Sequence, residues 1–140
     1  LGEACHFIDL ARALVGARIT ETIARGAPGH DPGATILLGF EDGSRATIHY
    51  ETDGASSFPK ERVEVWCDGG NAQIDAWRTL KVWGWPGLKG QRSLRQDKGH
   101  IALIEAVLAA CRGQAPAPIP LAELAEVSRA SILAAEQARL

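Results

Sequence analysis

The sequence predicts an α+β fold: an open, mainly antiparallel sheet of about six strands with helices on one face. Three observations predict it. Apolar residues recur at helical spacing at both ends of the chain, short runs of alternating apolar and polar residues fill the middle, and Asp-Gly steps separate several of those runs. Closely spaced strands joined by short turns pair antiparallel.

The first element is a helix over Ala4–Val15, with Phe7, Leu10, Ala11, Leu14 and Val15 on one face and Gly16 as its stop. Arg18–Ala24 then alternates Ile19 and Ile23 with polar neighbours. Gly26–Gly33, with Pro28 and Pro32, reads as a loop. Ala34–Phe40 is almost wholly apolar, Glu41-Asp42-Gly43-Ser44 turns the chain, and Arg45–Tyr50 returns with Ala46, Ile48 and Tyr50 on one face. An Asp-Gly step between alternating runs is a strong hairpin signal. A loop through Asp53–Pro59 leads to a strand over Arg62–Cys67, and Asp68-Gly69-Gly70 turns it into Asn71–Asp75. Thr79–Trp83 is a further short strand, and Gly84–Asp97 is a polar, Gly-rich loop. Lys98–Cys111 is helical, with Ile101, Ile104, Val107, Leu108 and Cys111 on one side and Gly113 just past its end. After the stiff connector Ala115–Pro120, Leu121–Leu140 is Ala-rich and helical, with Leu124, Val127, Ile132 and Leu133 as its apolar stripe.

If helices cover one sheet face, the other is solvated or covered by a partner. Trp66 and Trp83 lie at the parity opposite Val65 and Val82, and Leu37 opposite Ile36 and Leu38. An apolar patch of that kind marks an interface, or two indoles capped by nearby loops.

Composition removes several classes of function. At 140 residues the chain fits one domain with its own core, and 46% hydrophobic content is too high for disorder. No apolar run reaches the roughly 18 residues of a membrane span. A net charge of -2 argues against a dedicated nucleic-acid binder. Cys5, Cys67 and Cys111 are odd in number and widely spaced, which suits reduced thiols in the cytoplasm better than disulfides or structural zinc. His30 and His49 have no partners at metal-ligand spacing. The sequence contains no Met and opens on Leu1-Gly2-Glu3, so it reads as a piece of a longer polypeptide.

Two clusters could carry chemistry. His6 and Asp9 are three residues apart on the first helix and share a side, with Glu3 close by. A His of near-neutral pKa near a helix start suits acid–base work. Spacing alone favours the plainer alternative, a half-buried His bonded to Asp9. In Gln96-Asp97-Lys98-Gly99-His100, Asp97 is placed as an N-cap. Lys98 and His100 put cations at the helix end where its dipole disfavours them. They either contact a hydroxylated or anionic ligand or mark an exposed junction. From Lys81 to Lys98, five basic residues (Lys81, Lys89, Arg92, Arg95, Lys98) run with Trp83 and Trp85 among them. Such interleaving can bind nucleic acid, but in a net-acidic chain a solvated loop or a clamp on an acidic sugar fits better.

The stretch Gly2-Glu3-Ala4-Cys5-His6-Phe7-Ile8-Asp9-Leu10 resembles the opening of the C-terminal domain of the glucose–fructose oxidoreductase / inositol dehydrogenase (Gfo/Idh/MocA) family, where a helix carries a His followed three residues later by Asp. The turn at Asp42-Gly43-Ser44 is similar to the family's F-x-D-G-x turn. The run Arg62-Val63-Glu64-Val65 with Gly69-Gly70 is similar to its R-hydrophobic-E-hydrophobic strand. Gln96–His100 with Ile104–Val107 and Arg112-Gly113 resembles the penultimate helix, and Pro120–Arg139 the last one. The resemblance spans the whole chain.

What it implies is the dihydrodipicolinate-reductase-like C-terminal domain, here residues 1–140, of a two-domain oxidoreductase. An N-terminal Rossmann domain, absent from this chain, would bind NAD or NADP; no G-x-G-x-x-G stands here between a strand and a helix. The implied reaction is hydride transfer on a sugar- or polyol-type alcohol, with His6 as the proton-transfer group. Glu3 and Asp9 would be its polar neighbours, Lys98 and His100 substrate contacts, and no metal is implied. A homo-oligomer through the open sheet face, a cytoplasmic setting, no nucleic acid and no membrane complete the expectation. The piece alone would be inactive; a non-catalytic dimerisation or docking module on the same fold is the alternative. One position departs from the pattern: many relatives carry Asp four residues before the His, where this chain has Gly2. Glu3, one residue later, projects about 100° away around a helix.

Overall fold

The computed structural model describes residues 2–26 and 33–139. The loop expected over Gly26–Gly33, with His30, lies outside them apart from its two ends, as does Leu140. The elements in chain order are α1 (Ala4–Val15), β1 (Ile19–Gly26), β2 (Ala34–Phe40), β3 (Arg45–Tyr50), β4 (Arg62–Cys67), β5 (Gly70–Asp75), β6 (Thr79–Trp83), β7 (Gln91–Arg92), α2 (His100–Cys111) and α3 (Leu121–Gln137).

The α+β class and the antiparallel pairing are those expected. The strands, however, form two sheets, β1-β2-β3 and β4-β5-β6-β7, in place of one sheet of about six. The exposed, polar connector between β3 and β4 carries Pro59 and interrupts the ladder. Strand β7 pairs only Gln91 with Leu80 and Arg92 with Thr79, too short a run to show periodicity in the sequence.

Contacts divide the chain into two compact units, residues 1–54 with 119–140 and residues 55–118. In the first, the β2–β3 hairpin closes on Gly43 at φ +84°. There the Asp42 carboxylate accepts the Ser44 amide at 2.9 Å and its hydroxyl at 3.0 Å. One face of this sheet presents Thr22, Ala24, Ala34, Ile36, Leu38 and Phe40, all buried, to α1 and α3. Ile8, Ile36 and Leu38 are sealed completely, each contributing about 1.5–3 kcal/mol of burial.

The helix faces that meet this core differ from those expected. Helix α1 buries Ala4, Ile8 and Ala11, while Leu14 is 55% exposed. Helix α3 buries Val127, Ala130 and Ala134 and leaves Leu124, Ile132 and Leu133 exposed. In both helices alanines meet the sheet, because a small side chain lets a backbone approach closely; the larger leucines point elsewhere.

In the second unit, register places Trp66, Asn71 and Trp83 in one row across β4, β5 and β6, followed by Glu64, Gln73 and Lys81. Trp66 is 70% and Trp83 52% exposed, so loops do not cap these indoles. The opposite face carries Val63, Val65, Ala72, Ile74, Leu80 and Val82, all half-buried. Helix α2 buries none of its residues, and among the described residues of this unit only Gly70 is buried. Trp85 stacks over Gly70, leaving no room for a Cβ, and its indole N–H donates to the Cys67 carbonyl at 3.1 Å.

Candidate functional site

Helix α1 holds the first cluster. Its buried side runs through Ala4, Ile8 and Ala11, and His6, two residues before Ile8, sits about 160° around the helix from it. His6 is exposed accordingly, and Asp9 is half-buried. Glu3 is the N-cap residue; its carbonyl accepts the His6 amide at 3.1 Å, and its side chain makes no capping bond. Among the described residues no side-chain hydrogen bond joins His6 to Asp9 or Glu3, so the plainer picture of a half-buried, Asp9-bonded His is not what the fold builds.

The helix that carries His6 is anchored one and a half turns further on. Arg12 donates through Nε to Glu126 Oε1 at 3.0 Å and reaches Glu123 at 3.5 Å. The same Glu126 oxygen accepts the Ile19 amide at 2.6 Å, and Arg18 stands 4.0 Å from its other oxygen. Desolvation pushes the Glu126 carboxyl up, but the Ile19 amide, Arg12 and Arg18 together outweigh it and hold the group below the usual carboxylate range. Glu126 thereby joins α1, α3 and the start of β1 in one ionic knot.

The second cluster, in residues 55–118, is arranged differently from the sequence expectation. Gly99, at φ +74°, is the N-cap of α2, and Asp97 instead accepts the Gly99 amide at 2.8 Å. Lys98 is paired with Glu61 at 2.8 Å, which accounts for a cation at that helix end. His100 begins α2 and is exposed. Glu3, His6 and Asp9 therefore belong to one unit, Lys98 and His100 to the other.

The β5–β6 turn carries what sequence reasoning missed. Ala76 and Trp77 both adopt left-handed backbone, at φ +50° and +55°, a conformation that costs a non-glycine residue roughly 1–2 kcal/mol. Neighbours hold it in place. The Ala76 amide donates to the Glu61 carbonyl at 2.8 Å, the Gln96 side chain donates to the Ala76 carbonyl at 3.1 Å, and the Ser93 amide donates to the Arg78 carbonyl at 2.7 Å. Ala-Trp is no turn-forming pair, so nothing local in the sequence announces the strain. Beside it, the Asp75 carboxyl lies down at about 2, because Gln73, Lys81 and Arg62 all donate to it and together outweigh desolvation. The Asp68 carboxylate holds the Cys67 thiol above its ordinary range, which disfavours the thiolate. Among the described residues no three His, Cys, Asp or Glu side chains gather as a metal ion requires.

No protein-family profile matches the sequence, and no curated protein matches it. Solved structures do. UDP-N-acetylglucosamine 3-dehydrogenase GnnA from Acidithiobacillus ferrooxidans superposes with a TM-score of 0.77 at 21% identity, over 96% of this chain and 47% of its own. The WlbA dehydrogenase from Bordetella pertussis, solved in complex with NADH and UDP-GlcNAcA, superposes at 0.67 and 15% identity, over 98% of this chain and 44% of its own. The chain thus spans less than half the length of the structures it matches. Its fold is that of a portion of these dehydrogenases.

Proposed function

We propose that this chain is the substrate-binding and oligomerising part of an NAD(P)-dependent oxidoreductase acting by hydride transfer on a sugar- or polyol-type alcohol. In this reading residues 1–140 are the C-terminal domain of a longer protein whose Rossmann domain holds the cofactor. One observation carries it: His6 stands exposed on the side of α1 away from the core, on a helix anchored through Arg12 and Glu126. Such a placement leaves the imidazole free to meet a substrate hydroxyl.

His6 takes the hydroxyl proton in the oxidative direction and returns it in the reductive one, as a general base and then a general acid. Glu3 and Asp9 are its polar neighbours, and Lys98 and His100 are substrate contacts. Among the described residues, the paired glycines do not offer a cradle for a dinucleotide. Gly69 and Gly70 turn between two strands, and Trp85 covers Gly70 where a phosphate would need open backbone. In this reading cofactor binding falls to the other domain, and the piece alone is inactive.

The open face of the second sheet, with Trp66 and Trp83 exposed in one row, supports a homo-oligomer through that face. The three free cysteines support a cytoplasmic setting. Among the described residues no helix is long and apolar enough to cross a membrane, and neither a membrane nor a nucleic acid is among the partners proposed. A second reading, a non-catalytic docking module on the same fold, draws on the exposed indoles and on Gly2 where many relatives carry Asp.

His6→Ala in the full-length protein separates the two. The enzyme reading expects kcat/KM on a sugar alcohol to fall roughly 10²–10⁴-fold with Tm unchanged. Turnover near the wild-type level would hand the chain to the module reading. Sedimentation at low micromolar concentration tests the sheet face: the proposal expects self-association that Trp66→Lys abolishes, and a strict monomer counts against it.

A further inference from the structure

Two concavities lie on either side of the strained β5–β6 turn. One, of about 250 Å³, is lined by Trp77, Arg78 and Arg92 among others. The second, of about 460 Å³, is lined by Phe58, Lys60, Glu61, Arg78 and Lys98 among others. Arg78 is common to both. The chain carries 17 acidic against 15 basic residues, yet these two hollows gather four cations, Lys60, Arg78, Arg92 and Lys98, against the single carboxylate of Glu61. Glu61 is already paired with Lys98, and among the described residues no carboxylate lies in ion-pair contact with Lys60, Arg78 or Arg92.

Exposed cations without carboxylate partners around a hollow give it a positive potential that attracts an anion. The left-handed Ala76-Trp77 pair points the same way. Three hydrogen bonds hold this costly backbone in place, from Ala76 to Glu61, from Gln96 to Ala76 and from Ser93 to Arg78. They fix the backbone at Arg78, whose exposed side chain lines both hollows. Backbone strain maintained by surrounding bonds is characteristic of ligand clamps. An Arg fork suits planar, bidentate recognition of phosphoryl and carboxylate oxygens. The Phe58 ring, 71% exposed at the rim of the larger hollow, offers an apolar surface on which a ring can stack.

We propose that the β5–β6 turn and its two flanking hollows form an anion subsite, with Arg78 as its central contact and Lys60 and Arg92 on either side, that holds the phosphoryl or carboxylate group of an acidic sugar. That the ligand is a sugar rests on the oxidoreductase reading above; the anion site does not. The Lys98–Glu61 pair is part of the lining of the larger hollow, and its ammonium offers its remaining N–H bonds to the same anion.

The test is calorimetric titration of the 140-residue chain with inorganic pyrophosphate, with glucuronate and with neutral glucose. The proposal expects saturable millimolar or tighter binding of at least one anion, none of glucose, and weakening as salt rises. Arg78→Gln is expected to weaken the anion roughly tenfold or more, and Lys60→Gln to weaken it by less, while Lys89→Gln, outside both hollows, leaves it unchanged. Preference for pyrophosphate assigns a phosphoryl group, and preference for glucuronate a carboxylate. Near-UV circular dichroism verifies folding, and Lys60→Gln serves if Arg78→Gln fails to fold. Absence of saturable anion binding, or equal affinity in Arg78→Gln and Lys89→Gln, overturns the proposal. The result is independent of turnover, so a full-length His6→Ala protein that keeps its activity sinks the oxidoreductase reading and leaves this subsite standing.

Discussion

Arg12 of α1 and Glu126 of α3, 114 positions apart in sequence, meet through Nε and Oε1 at 3.0 Å with both side chains only 12% exposed. The same carboxylate oxygen accepts the Ile19 amide. A single acidic side chain thus seats the helix that carries His6 against the last helix and the first strand.

Glu126→Gln is expected to destabilise the protein by about 1–2 kcal/mol at pH 7, since it leaves Arg12 only its longer contact to Glu123 and removes the charge that the Ile19 amide bonds to. The pH dependence follows from the sign of the shift. The native Glu126 carboxyl is held below its ordinary 4.5, so its contribution is present in full above that value and is lost as pH falls through the lowered native one. Urea unfolding at pH 7 and at stepwise lower pH is expected to show wild type and variant converging in acid. A gap that stays constant with pH would remove the ionic knot from the account.

Ile8→Ala is expected to cost about 2–5 kcal/mol, and Leu14→Ala no more than about 0.5–1 kcal/mol. Ile8 is sealed while Leu14 is mostly exposed. Denaturant midpoints of the two variants decide which side of α1 faces the sheet, and the reverse order would restore the Phe7–Leu10–Leu14 stripe.

Gln137 occupies the place of a neighbouring strand: its carbonyl oxygen accepts the Ala24 amide at 2.7 Å, and its amide donates to the Thr22 carbonyl at 3.2 Å. Gln137→Ala strips both partners from the edge of β1 and is expected to cost about 1–3 kcal/mol. Hydrogen exchange at the Ala24 amide should accelerate well beyond the global change in stability. Protection that merely tracks the global value would mean water replaces the amide without loss.

Ala76→Gly is expected to stabilise the chain by roughly 0.5–1 kcal/mol, because relief of the left-handed strain exceeds the added entropy of the unfolded chain. Thermal unfolding measures it. A destabilised variant would mean that the turn is not strained in solution.

Much of the fold was legible because its signals are local. Every helix was anticipated within a few residues, and β2, β3, β4 and β6 with their stated ends; alternation, Asp-Gly turns and terminal glycines act over a few positions at a time. The candidate site was legible only in part. His6 and Asp9 stood out by spacing; the structure leaves His6 exposed and Asp9 half-buried. Lys98 stood out as a misplaced cation, which Glu61, 37 positions away, explains. Arg78 and the left-handed Ala76-Trp77 pair did not stand out at all, since their conformation is imposed by Glu61, Ser93 and Gln96 rather than by their own identities.

The chain's own order of residues determined its α+β class, its hairpins and the helix that bears His6, for periodicity and turn chemistry are properties of neighbouring residues. Only the tertiary structure decided which side of each helix is buried, that the strands part into two sheets, and which cations end up without a partner. Those outcomes depend on how closely two backbones approach, and on which carboxylates arrive from distant segments. The Ala4–Ile8–Ala11 side of α1 is the buried one because its two alanines let the helix pack closely while Ile8 fills the space between them.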